Sequence, residues 1–292
     1  MSQVTSAKTS LPLTQKVPPQ VFALLAMISV QTGASIGERL SGSIGPLGTT
    51  FLRLGFAALL LLLIWRPSFR ELTRRNCMTI LLFGVTVAAM NGLFYLAIVR
   101  IPLGIAVTLE FVGPLGVALL QSRRLKDLVW AACAALGIIL LTPIGATHID
   151  LVGAILALLA GVFWGLYIIF NVQIGQAFSG GTGLSLSILI AALIIAPFGL
   201  STAGSAIVDP HALLLGLVVS ILSTVIPFSL ELEALRRLPS RVFGILMSAE
   251  PAVATLIGFL ILGQTIGIRS MVAIVFVITA SIGTSLEGKT QH

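Results

Sequence analysis

The chain has 292 residues, 57% hydrophobic and 9% charged, with a mean hydropathy of +1.09 and a formal net charge of +7. A soluble domain this apolar could not cover its surface with polar groups. The longest polar segment is the N-terminal tail of about 19 residues, which leaves no room for a soluble catalytic, nucleotide-binding or DNA-reading domain.

Ten apolar stretches follow one another, over 20–37, 47–65, 76–98, 103–121, 127–144, 150–171, 183–200, 211–233, 241–262 and 267–285. Each is near the roughly 20 residues that a helix needs to cross the hydrocarbon core. None alternates polar and apolar residues as a barrel strand does, so helices are the way left to satisfy the backbone in lipid. The expectation is an all-α membrane protein of ten transmembrane helices. The tail 1–19 carries two lysines before an apolar run, as a signal peptide does. The run continues to about Ile36 without a convincing small-residue cleavage site, so it reads as an uncleaved first helix.

A charge or a strong dipole within a span costs free energy and so marks a cavity, a partner or a function. Span one has the patch Gln31, Thr32 and Ser35. After the turn signal "GPLG" at 45–48, span two holds Arg53, set to pair with a glutamate or to snorkel outward. Asn91 and Tyr95 share a face of span three at i, i+4. In span four Glu110 lies four residues before Pro114, and in span nine Glu250 lies directly before Pro251. Proline lacks the N–H that would bond the carbonyl one turn back, so each glutamate sits beside a weakened helical segment. Span six reads "GVFWGLYIIFN", with Trp164, Tyr167 and Asn171 on one face and Gly161 and Gly165 spaced for close helix contact. The loop "SGGTG" at 179–183 has no charge. Glu231 and Glu233, near the end of span eight, also qualify as charges within the membrane, but they stand close to Arg236 and Arg237 and read first as one ion-pair network. The candidates for substrate contact are therefore Gln31, Arg53, Asn91, Tyr95, Glu110, Trp164, Tyr167 and Glu250, with Pro114 and Pro251 as hinges. Each has a plain packing role as its alternative. Glu110 can bind an ammonium, relay a proton or serve as a structural carboxyl.

The 17 Lys and Arg residues are unevenly placed. With the N-terminus in the cytoplasm, 13 fall in inside segments: Lys8, Lys16, Arg66, Arg70, Arg74, Arg75, Arg123, Arg124, Lys126, Arg236, Arg237, Arg241 and Lys289. Only Arg39, Arg100 and Arg269 fall outside. Such a split orients a membrane protein and puts both termini in the cytoplasm. The positive charge therefore points to anionic lipid headgroups and not to nucleic acid.

The chain also repeats. Ala97, Arg100, Pro102 and Pro114 recur as Ala234, Arg237, Pro239 and Pro251, each 137 positions on (239 − 102 = 137). The unit holds five spans, and an odd number turns the second copy upside down, giving a 5+5 inverted-topology repeat of 20–144 and 150–285 with tails 1–19 and 286–292. Transporters built this way place their site at the midplane between the halves. The sequence offers no nucleophile with an adjacent histidine, no P-loop, no potassium-type filter, and no metal spacing around Cys77, Cys133 or its three histidines. No enzyme, cofactor or metal site is expected.

The segments "TTFLRLGFAALLLL" (49–62), "MNGLFYLAIVRIPLGIAVTLEFVGPLGVALLQSRR" (90–124), "ALLAGVFWGLYII" (157–169) and "LEALRRLPSRVFGILMSAEPAVATLIGFLILGQTI" (232–266) resemble the drug/metabolite transporter superfamily in its ten-helix EamA branch. The likeness runs from about 20 to 285 and is strongest to bacterial inner-membrane amino-acid exporters, of the threonine/homoserine or the aromatic amino-acid kind. It implies a 5+5 inverted fold, a central cavity and export of small metabolites. The reading adopted is a secondary carrier that exports amino acids, with membrane lipids and candidate coupling protons as the other partners. It also implies that Arg53 in "FLRL", Glu110 in "LEF" and Glu250 in "AEP" stand at positions where the family has these residues. A multidrug or other-metabolite carrier on the same fold is the alternative. A non-transporting intramembrane accessory protein is the alternative of another class.

Overall fold

The computed structural model describes residues 17–67, 72–98, 109–120 and 150–247, with scattered further positions that include Arg100, Ile101, Ala106 and Glu250. Among them there are helices and turns and no strand. In chain order these are α1 (Pro19–Trp65), α2 (Arg74–Ile98), α3 (Val112–Leu120), α4 (Leu151–Ala177), α5 (Thr182–Ala203), a 3-10 turn (Gly204–Val208), α6 (Pro210–Ser220), a π turn (Ile221–Val225), α7 (Ile226–Leu235) and α8 (Ser240–Met247). Five runs are long and apolar enough to cross a membrane: Arg39–Trp65, Arg74–Ala97, Leu151–Ala177, Thr182–Val208 and Pro210–Leu235. Their outward faces are apolar, as with Leu63, Leu151, Leu193 and Leu214, each at least 60% exposed. Such faces suit lipid and not water.

The first run is two helices. Gly45 has φ 75° and ψ 161°, a conformation open to glycine, and Pro46 follows it. Ser41 Oγ donates to Thr49 Oγ1 at 3.0 Å. Eight residues along a straight helix would lie about 12 Å apart, so the chain folds back at "GPLG". The first limb continues helical past the expected end at 37 up to this turn. The segment 38–44 reads as loop from its polar letters, yet Leu40 and Ile44 are buried and join Leu52, Ala203, Ile207 and Ala212 in a small core.

One end of the bundle is tied together by arginines. Arg236 donates from Nε to Gly175 O at 3.0 Å and from Nη2 to Phe178 O at 2.9 Å, closing the carbonyl end of α4. It also bonds Gly180 O, so the chargeless "SGGTG" loop borrows its cation from α7. Gly180, at φ +55°, packs against the Trp65 ring. Arg237 donates to Val17 O at 2.7 Å. Glu233 meets Arg236 and Arg237 at 3.7 and 3.9 Å. Glu231 does not belong to this network, contrary to the sequence reading. Pairs at i, i+3 and i, i+4 share a helix face, whereas residues two apart do not, and Glu231 points into the protein instead. At the other end Asp150 caps α4 through Gly153 N at 2.8 Å and lies 3.7 Å from Arg100. Asp209 caps α6 through Ala212 N at 3.0 Å, ahead of Pro210.

Glycines set the closest helix crossings. A Cβ on Gly161 would stand 2.6 Å from Glu110 O, and one on Gly165 3.3 Å from Gly113 O. The Gly161/Gly165 pair thus receives the start of α3 at near backbone contact. Cys77 and Cys133 are both free.

Candidate functional site

The spans converge on a cavity of about 220 Å³. Its wall includes all eight residues singled out as candidate contacts: Gln31, Arg53, Asn91, Tyr95, Glu110, Trp164, Tyr167 and Glu250. Both limbs of α1, then α2, α4, the π turn and α7 contribute to the wall, together with Glu110, Phe111, Met247 and Glu250. These positions lie far apart in the chain and meet because each span turns its polar residue inward.

Each polar side chain has a definite setting. Arg53 donates from Nη2 to Asn91 Oδ1, and Asn91 Nδ2 donates to Val87 O one turn back at 2.8 Å. Asn91 is thereby held as a rest for the guanidinium. The Arg53 Nε is buried without a hydrogen bond. Gln31 Nε2 donates to Glu250 Oε1 at 2.9 Å, joining span one to span nine. Tyr167 donates its hydroxyl proton to Glu231 Oε2 at 2.7 Å. The Tyr167 ring lies between Phe83 and Phe228, with centroids 5.3 and 5.2 Å away. Trp164 packs against Phe111 in a tilted contact, with ring centroids 4.8 Å apart. These aromatic contacts lock the rotamers of the polar groups.

The wall therefore carries three carboxyl groups, Glu110, Glu231 and Glu250, and one guanidinium among the described residues. An acid surplus in a low-dielectric recess attracts a cation, and the single arginine offers a complementary place for a carboxylate. A small zwitterion has both ends.

The helical run is broken at Phe111, between Glu110 and α3. Pro114 lies three residues on and cannot donate to Glu110 O, and this carbonyl rests against Gly161. Pro251 lies outside the described residues. Of the span-one patch, Gln31 reaches the cavity while Thr32 bonds Ile28 O of its own helix at 2.8 Å. Asn171 is fully buried and does not reach the wall.

Sequence reasoning noticed Glu231 but set it in the ion-pair network, and it missed Ser223 and the aromatic lining from Phe94, Phe111 and Phe228. The i, i+3/i+4 rule already separates Glu231 from the arginines. Ser223 precedes Pro227 by four residues, the same spacing that drew notice to Glu110 and Pro114.

The comparisons agree with this architecture. The sequence model of the EamA-like transporter family matches twice, over residues 18–142 and 151–286. The chain is 44% identical over 270 residues to the Threonine/homoserine exporter RhtA of Escherichia coli (strain K12), covering 92% of this chain and 91% of that protein. It is 43% identical over 278 residues to the Threonine/homoserine exporter RhtA of Salmonella typhimurium (strain SL1344), covering 94% of each. A solved structure described only as "Crystal structure of protein" superposes with a TM-score of 0.78 at 15% identity, over 93% of this chain and 98% of that one. At that identity the likeness shows the fold alone. Helices suited to a bilayer, a polar cavity among them and a family match over nearly the whole length lead to one statement: this multi-pass membrane protein belongs to the EamA-like transporter family.

Proposed function

We propose that this chain exports small amino acids, threonine and homoserine among them, by alternating access to the central cavity. The observation that carries the reading is end-to-end identity of 44% with proteins named as threonine/homoserine exporters. The cavity supports it chemically. Glu110 and Glu250 would take the substrate ammonium, Arg53 on its Asn91 rest would take the carboxylate, and Tyr95, Trp164 and Tyr167 would shape the space between. The volume of about 220 Å³ is below the about 300–1,000 Å³ of drug-sized pockets, which favours an amino acid over a drug. Pro114 and Pro251 would be the bending points of the two halves, and protons the coupling ion.

Purified protein in liposomes preloaded with unlabelled threonine should accumulate labelled threonine and homoserine by counterflow. An amphipathic cation should neither be taken up nor compete. Uptake of the cation without either amino acid would replace this reading with the drug-carrier one. A folded protein that moves none of them would be the accessory protein.

The proposed topology is ten spans in two inverted halves with both termini cytoplasmic. Single cysteines placed near Arg70 and near His148, in a background lacking Cys77 and Cys133, should react with an impermeant thiol reagent from opposite faces. In intact cells the His148 site should label and the Arg70 site should not. Labelling of both in intact cells would refute the span count.

A further inference from the structure

Span eight, where the sequence drew notice only to the glutamates at its end, holds a further proline-marked element. α6 is regular up to Ser220, then the chain widens into the π turn Ile221–Val225. π turns of this kind recur at functional sites. Pro227 accounts for this one. It has no N–H, and the N–H of Ile226 before it bonds Ile221 O, five residues back instead of four. In that register the carbonyl deprived of a donor is Leu222's (227 − 5 = 222). Ser29 of α1 supplies the donor, its Oγ bonding Leu222 O at 2.7 Å. Gly33, one turn further along α1, permits the approach. A Cβ there would come within 2.9 Å of Leu222 Cβ and closer still to Ser223 Oγ.

α1 thus clamps the π turn and sets Ser223 in the cavity wall. Ser223 is 1% exposed, and its Oγ has no hydrogen bond. A buried helical serine commonly bonds back to its own helix, as Ser187 does to Gly183 O at 2.8 Å. Ser223 does not. On the described wall, its hydroxyl and Arg53 Nε are the buried polar atoms without a bond. Leaving such a group unsatisfied costs free energy, so each one calls for a partner. Arg53 suits a carboxylate. A neutral hydroxyl, able to donate and accept at once, suits another hydroxyl.

We infer that Ser223 is a specificity-determining residue that receives the side-chain hydroxyl of the substrate, so that the cavity prefers hydroxy amino acids to their deoxy analogues. This rests on the amino-acid transport proposed above. Selection by a buried hydrogen bond is strong because an analogue lacking the group leaves the site's own polar atom unpaired.

The test compares threonine and homoserine with 2-aminobutyrate, which lacks the hydroxyl, in liposomes carrying wild type, Ser223→Ala or Ser223→Cys. In wild type kcat/KM for the hydroxy amino acids should exceed that for 2-aminobutyrate by about tenfold or more. In Ser223→Ala the ratio should fall to near one, through loss on the hydroxy substrates while 2-aminobutyrate transport holds or improves. Ser223→Cys, with its weak S–H donor, should fall between. The melting temperature of Ser223→Ala should be unchanged or higher, since the removed hydroxyl has no partner. A ratio that stays at its wild-type value in Ser223→Ala, or rates that fall equally for all three substrates, would overturn the inference and leave amino-acid transport standing. Wild type that transports none of the three would overturn the transport reading and this inference with it.

Discussion

Alanine at Gly113 should leave little folded protein. The methyl would overlap the Gly161 carbonyl, with the carbonyl carbon only 2.7 Å away. Alanine at Gly161 would meet Glu110 O at 2.6 Å and the Glu110 carbon and Cα at 3.2 Å. Every one of these obstacles is backbone, so no side chain can swing aside. The crossing of α3 and α4 must open, and both substitutions should cost about 3 kcal/mol or more, the upper end of overpacking effects. Gly165→Ala is the internal control. Its nearest contacts are Gly113 O at 3.3 Å and Val117 Cγ2 at 3.4 Å, which a shift of a few tenths of an ångström relieves. Thermal unfolding in detergent should rank wild type near Gly165→Ala, with Gly113→Ala and Gly161→Ala well below or unrecoverable. Normal melting of Gly113→Ala would mean that the helices do not cross this closely. The seam also bears on the cavity, because Glu110 and Trp164 stand on its two sides and both line the wall.

Why the cavity wall was so legible follows from the cost of polar groups in lipid. Arg53, Asn91, Glu110 and Glu250 stand out against apolar neighbours, and such residues turn toward one another because nothing else there can satisfy them. Trp164 and Tyr167 were found by helical spacing alone. The same logic failed at Ser223, since a serine in a span is common and usually bonds its own helix. What distinguishes this one is the register shift that Pro227 imposes, and that shift shows only in backbone hydrogen bonds. The helix end at 44 was hidden for a related reason. "GERLSGS" looks polar, yet Leu40 and Ile44 bury themselves against Ala203 and Ile207, residues more than 150 positions away. The odd absence of charge in "SGGTG" likewise had its answer in another span, at Arg236. Local chemistry marked the polar residues, and tertiary contacts decided their partners.

Glu110→Gln should cut net threonine export by about 100-fold or more while the protein still folds, and two assays on that one variant assign the reason. Glu110 and Arg53 share the cavity wall, and glutamine keeps the shape of glutamate but not its charge. A charge-assisted hydrogen bond to an ammonium is worth about 1.5–3 kcal/mol, and losing it in a desolvated recess reaches the top of that range or beyond. If Glu110 holds the ammonium, every mode of transport needs it. Counterflow between equal threonine pools and net export driven by a proton gradient should then fall together. If Glu110 instead carries the coupling proton, the neutral variant should still exchange threonine for threonine, because exchange moves no net proton. Only the gradient-driven mode should disappear, and with it the dependence of export on pH. Gln31→Leu is the companion variant. It removes the donor whose hydrogen bond Glu250 accepts at 2.9 Å, and so disturbs the Glu250 carboxyl without changing Glu110. Loss of both modes in Glu110→Gln with partial loss in Gln31→Leu would make Glu110 the principal ammonium site and Glu250 its support. Unchanged rates in both modes for Glu110→Gln would reduce Glu110 to a structural carboxyl and move the ammonium to Glu250 and Glu231, the other carboxyl groups of the wall.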